Sequence, residues 1–208
     1  MTVTIDGTTG ISAPGVTDTG NLSVTGTSAF TGSVGNITAG TVTASTGVLY
    51  PIVNGTAVAS TSGTSITFSS IPSWVKCIKV MFNGVSTSGT SQVRIRIGPS
   101  GGVETSGYLG TCQTALITAV NTQNFTAGFD LYDGGAAAAV RNGMFILSLL
   151  DSATNTWTAM ANIGQSNEAR SIVLGGVKPL AGVLSVLSVT TVNGTDTFDA
   201  GSINIQYE

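Results

Sequence analysis

Apolar and polar residues alternate over short distances along most of this chain, and no segment sustains the spacing of a helix. In QVRIRI (92–97), Val93, Ile95 and Ile97 fall on one side and Arg94 and Arg96 on the other. Successive side chains of a strand point to opposite faces, so this segment predicts a strand with its arginines outward. TSITFS (64–69) places Ile66 and Phe68 together, and NTWTAMANIG (155–164) aligns Trp157, Ala159, Ala161 and Ile163. VKCIKVMF (75–82) is dense enough in apolar residues to predict a strand buried on both faces for most of its length. AGFDLYD (127–133), GMFILSLLD (143–151), RSIVLG (170–175), VLSVLSVTTV (183–192) and SINIQYE (202–208) complete the set. Asn83-Gly84, Asn142-Gly143 and Asn193-Gly194 are expected at or just outside strand ends, where positive φ is tolerated. The pattern predicts an all-β protein whose residues 61–208 form a β-sandwich, jelly-roll-like in character.

The pattern thins before residue 61. Residues 1–20 carry short extended patches at Val3 and Ile5, broken by Gly7, Gly10, Pro14 and Gly15, and predict an extended N-terminal attachment arm. Residues 21–60 predict a fibrous, low-complexity β stalk. Its short apolar patches offer Leu22, Val24, Phe30, Val34, Ile37 and Val42, too few for one chain to offset its ordering entropy. Three identical chains around a shared axis could do so, because each apolar residue would meet its own copies. The same geometry explains why the segment has no charge, since three like charges would meet on the axis. The alternative is a flexible Gly/Ser/Thr linker, but disordered segments usually carry charge and few β-branched residues. The expectation is a homotrimer.

Charge sharpens the division. Only 8% of residues are charged, against roughly 25% in an ordinary soluble domain. In residues 1–75 the charged side chains are Asp6 and Asp18, while all seven basic residues lie between Lys76 and Lys178. This distribution suggests that the N-terminal arm attaches to another protein and the C-terminal domain faces solvent. No basic patch could track a phosphate backbone, which excludes a nucleic-acid partner. No apolar run approaches the ~20 residues of a membrane helix, so no membrane insertion is expected. The opening MTVTIDGTTG has neither a basic nor an apolar signal region, so synthesis and folding in a cytoplasm are expected. In that compartment Cys77 and Cys112 are expected to be reduced, as small packing residues.

Candidate chemistry is sparse. The chain has no His, which removes the Ser-His-Asp triad, the Cys-His pair and the zincin motif. GPSGG (98–102) could form an anion-binding nest, but a hairpin loop explains it better. Asp130 with Asp133, and Asp196 with Asp199, have the spacing of loop carboxylates that could bind Ca²⁺; the favoured reading is that they accept backbone hydrogen bonds in turns. No enzyme activity, cofactor or metal is expected. Trp74 and Trp157 read as core, Trp157 with interface as an alternative. Tyr108, in TSGYLG, is the candidate exposed contact, on one of three loops (86–90, 98–108 and 133–142) expected to carry binding.

The opening TVTIDGTTGI looks like the start of many tailed-bacteriophage fibre proteins, and NLSVTGT…NITAGTVTAS is similar to the low-complexity shafts of such fibres. IPSWVKCIKVMFNGVSTSGTSQVRIRIG (71–98) and TTVNGTDTFDAGSINIQYE (190–208) resemble a C-terminal β domain of phage and prophage tail-fibre or virion-appendage proteins. The resemblance implies a trimeric structural protein located in the virion. Its N-terminal arm would hold other virion proteins, and its outer domain would meet a host-surface glycan or protein. It supplies no catalytic residues. At 208 residues the chain is short for a main tail fibre. The second reading is therefore a capsid decoration protein, a cement or head fibre, that stabilises the shell. A polysaccharide depolymerase is the weakest reading, since it would need paired carboxylates at a groove between subunits.

Overall fold

The computed structural model describes residues 42–44, 47–135 and 139–208. The chain divides after Gly40, so the expected arm, and the stalk through residue 40, lie outside the described residues. In chain order the strands are β1 (Val42–Ala44), β2 (Gly47–Leu49), β3 (Val53–Asn54), β4 (Val58–Ala59), β5 (Ser65–Phe68), β6 (Cys77–Thr87), β7 (Val93–Gly98) and β8 (Leu109–Ala115). They continue as β9 (Val120–Phe125), β10 (Phe129–Leu131), β11 (Arg141–Asp151), β12 (Thr156–Gln165), β13 (Arg170–Pro179), β14 (Val186–Thr191) and β15 (Phe198–Tyr207). The described residues contain no helix.

Two antiparallel sheets carry the fold. The smaller runs β10-β7-β14-β5, and the larger runs β3-β15-β6-β11-β12-β13-β8-β9, with β4 also paired to β15. β1 and β2 form a separate hairpin. One hydrophobic cluster joins the sheets: Ile78, Val80, Phe145, Leu147, Ile163 and Ile172 from the larger, Val93, Ile95, Ile97, Leu187 and Val189 from the smaller. Each such side chain contributes about 1.5–3 kcal/mol when fully buried. Phe129 lies among aromatic neighbours, edge-on to Tyr108 at 4.9 Å and to Phe125 at 5.7 Å, and tilted against Phe145 at 5.4 Å. Trp157, Ala159, Ala161 and Ile163 all point inward, as their alternation predicts. Trp74 is only partly buried, stacked on Tyr50 at 4.9 Å.

Four features differ from the sequence reading. The segment expected to be buried on both faces, in β6, alternates instead: Ile78, Val80 and Phe82 are buried, and Cys77, Lys79 and Met81 are half-buried. The sandwich begins before residue 61, because β3 and β4 pair with β15 and the Ser60 hydroxyl donates to the Ala200 carbonyl at 2.7 Å. β8 and β9 were hidden in LGTCQTA and VNTQNF, where hydroxyl and amide side chains blur the alternation. Finally, two of the three Asn-Gly pairs lie inside strands rather than at their ends. Gly84 (φ 65°) and Gly143 (φ 137°) sit where β6 and β11 shift register, and Gly201 (φ 89°) does the same in β15. Each absorbs an irregularity that lets a strand of ten or eleven residues bend with its sheet.

Candidate functional site

The charged residues show where this surface can and cannot make contacts. Arg94, expected outward in solvent, is buried: its guanidinium meets Asp130 through Nε–Oδ1 at 2.5 Å and Nη2–Oδ2 at 2.8 Å. The two residues are cross-strand partners on β7 and β10. Gly128 makes room for the arginine stem, because a Cβ there would lie 2.6 Å from its Cγ and Cδ. Arg141 and Asp133 form a second ion pair, fully buried, and Lys178 and Glu104 a third in which the lysine is buried. Arg170–Glu168 at 2.7 Å and Lys79–Glu208 at 3.5 Å are partly exposed. Five of the seven basic side chains are thus neutralised within the chain. Among the described residues only Lys76, Asp151 and Asp199 are charged and mainly exposed.

The paired carboxylates do not converge on a common point. Asp130 is held by Arg94, and Asp133 by Arg141 while also accepting from the Gly135 N–H at 3.0 Å. Asp196 accepts from the Ser91 N–H at 2.9 Å and the Asn193 amide at 2.7 Å, and Asp199 accepts from the Ser86 hydroxyl. The turn reading therefore describes Asp133 and Asp196, while Asp130 is an ion-pair residue. Among the described residues no group of three or more His, Cys, Asp or Glu could hold a metal ion.

Tyr108 is a core residue, not an exposed contact. It is fully buried, and its hydroxyl accepts from the Ile97 N–H at 2.9 Å. The hydroxyl proton lies within reach of the Ile97 and Glu104 carbonyls, at 3.1 and 3.0 Å. The physical reason is the loop itself. Residues 99–107 fold back on the end of β7, with Gly102 N–H bonded to the Pro99 carbonyl and Glu104 N–H to that of Ile97. Burial pushes the Tyr108 phenol up to about 12. Glu104 is desolvated, which alone would raise its carboxyl. Hydrogen bonds from Lys178 and from the Ala181 N–H (2.8 Å) outweigh that and hold it below the usual carboxylate range. Lys178 also lies 5.3 Å from the Tyr108 ring centre. The loop at 98–108 is thus pinned by its own polar residues.

The described surface instead offers two apolar features. The first is the outer face of the larger sheet from β11 to β9, where Met144, Met160, Val173 and Leu109 are exposed, Met160 by 57% and Leu109 by 61%. The second is the tip of the β8–β9 hairpin, where Ile117 is 85% exposed. Opposite that tip, at the β11–β12 turn, a cavity of about 230 Å³ is lined by Lys76, Leu149, Asn155, Trp157 and Leu184. The outer apolar row had a sequence signal: GMFILSLL is apolar at Met144 and Ile146 as well as at the inward Phe145 and Leu147.

Compared with family models, with curated proteins and with solved structures, the chain finds no match in any of the three.

Proposed function

We propose that this chain is a structural virion protein of a tailed bacteriophage: a trimeric fibre or appendage that takes part in host attachment. The observation that carries this reading is the surface charge. The domain spends its cations on internal ion pairs and keeps an exterior with three mainly exposed charges among the described residues. Such an exterior suits a protein whose surface becomes interface on assembly, because burying a lone charge is costly. The strand path supports the jelly-roll reading: the chain changes sheet repeatedly, at β4–β5, β5–β6, β6–β7, β7–β8, β9–β10, β10–β11, β13–β14 and β14–β15. The proposed role is one of binding and support, without catalysis, a metal or a cofactor.

Particle location tests the reading. Antibody labelling of intact virions should place the protein on a tail or appendage, and purified protein should compete with virions for host cells. Label spread over the head would replace the fibre with a capsid decoration protein. Absence from purified particles would overturn both.

A further inference from the structure

We propose that the outer face of the larger sheet, from β11 across β12, β13 and β8 to β9, is the surface through which copies of this chain pack together. The inference rests on the trimeric reading above and assigns it a place on the molecule.

The register aligns the face in rows. Met144 stands beside Asn162, Val173, Gln113 and Thr122; Ile146 beside Met160, Gly175, Thr111 and Asn124; Ser148 beside Thr158, Val177 and Leu109. No Asp, Glu, Lys or Arg occurs in these rows. The ion pairs lie elsewhere: Arg141, Arg170 and Lys178 share the inward parity of their strands, Arg94–Asp130 belongs to the smaller sheet, and Lys79 begins the charged margin on β6.

Two arguments identify the occupant as a second copy. The first is electrostatic. Different proteins that recognise one another generally use complementary charge for register and approach, and this face has none to offer. In a homo-oligomer, by contrast, each copy meets the same surface chemistry that it carries, and an uncharged face does not repel a copy of itself. A lipid surface would strand Asn162, Gln113 and Asn124 without partners, whereas a protein face with the same amides can pair them. The second argument is area. Five strands about 4.8 Å apart and seven residues long at ~3.4 Å each present roughly 570 Å², about two thirds of the ~800 Å² per partner of a standard stable interface.

The test uses the full chain. Light scattering at micromolar concentration should give three times the 20.8 kDa chain mass. Met160→Lys and Val173→Lys should each abolish the trimer, since three ammonium groups would be desolvated together. Val192→Lys, off this face and 39% exposed, should leave it intact. Circular dichroism and melting distinguish a dissociated, folded variant from an unfolded one. Should both lysine variants unfold, Val173→Cys in a Cys77→Ser background, treated with a short bismaleimide, gives a separate reading. Links between chains support the surface; their absence in an intact trimer overturns it. A wild-type monomer overturns both the trimer and its surface. A trimer that tolerates both lysines overturns the surface alone and leaves the fibre reading standing. A Val173→Cys thiol that becomes reactive only when residues 1–40 are deleted, in a monomeric protein, would assign the face to the chain's own N-terminal segment and sink the proposal.

Discussion

Asp130 grips Arg94 with both carboxylate oxygens, across the β7–β10 pair, at 2.5 and 2.8 Å. Both groups are nearly out of water, with side chains 4% and 10% exposed. Removing one partner leaves the other charge buried and unmatched, which costs about 3–5 kcal/mol. Asp130→Ala should therefore lower Tm by roughly 10 °C, at about 2–4 °C per kcal/mol for a domain of this size. The double change Arg94→Met with Asp130→Leu should melt close to wild type. A single Asp130→Ala variant that melts like wild type would show that the pair is open to water in solution.

Gly201 lies against Gly84 where β15 and β6 slip register. A Cβ on Gly201 would sit 2.4 Å from the Gly84 carbonyl carbon and oxygen, and its φ of 89° already disfavours any side chain. Gly201→Ala should destabilise by several kcal/mol, since backbone must move and a strained conformation typically adds about 1–3 kcal/mol. Gly194→Ala, with φ 70° and open space around it, meets only the conformational penalty of about 1 kcal/mol. Urea midpoints of the two variants should differ in that order.

The pH profile should be flat through neutrality, because the chain has no His. On the alkaline side, burial raises Tyr108 to about 12 and the Cys112 thiol to about 11. A raised folded pKa favours the protonated form, so this stability is complete below the unfolded values near 10 and 9 and is lost as pH climbs through 11 to 12. On the acid side Glu104 is held low, so its contribution is present above its unfolded value near 4.5 and disappears as pH falls through the folded one. Chemical unfolding across pH 3–12 checks both limbs. Tyr108→Phe should shift the alkaline limb, and at neutral pH should cost about 1–3 kcal/mol by leaving the Ile97 N–H without its acceptor.

Cys77 and Cys112 are free thiols on different strands, β6 and β8. Burial raises both, Cys112 to about 11. In the native protein a thiol reagent should modify half-buried Cys77 slowly and Cys112 not at all. Two equivalents should react in denaturant without reductant. A single equivalent there, or none, would mean a covalent link that this fold does not contain.

Much of the sandwich was legible because alternation survives wherever Val, Ile, Leu or Phe mark one side. QVRIRI shows both the strength and the limit of that signal. Its aliphatic residues point inward as read, but the pattern carries no information about Asp130, thirty-six positions away, which takes Arg94 out of solvent. Tyr108 failed for a related reason. Gly and Ser around it read as an open loop, whereas its hydroxyl ties that loop to Ile97 eleven residues back. β8 and β9 were missed because Thr, Gln and Asn occupy inward and outward positions alike, so that only their partners decide which face is which.

The position of β6 also governs how the chain reaches this state. Its two neighbours are β11 and β15, so Val80 waits for Phe145 on one side and for Ile205 on the other. Loops of about 65 and 125 residues must close before the centre of the sheet exists, and such distant pairings place folding in the range of milliseconds to seconds rather than microseconds. Nascent chains therefore spend that interval with β6 unpaired and open to other copies. Once β15 is seated, freeing β6 requires breaking its pairings with β11 and with β15 together.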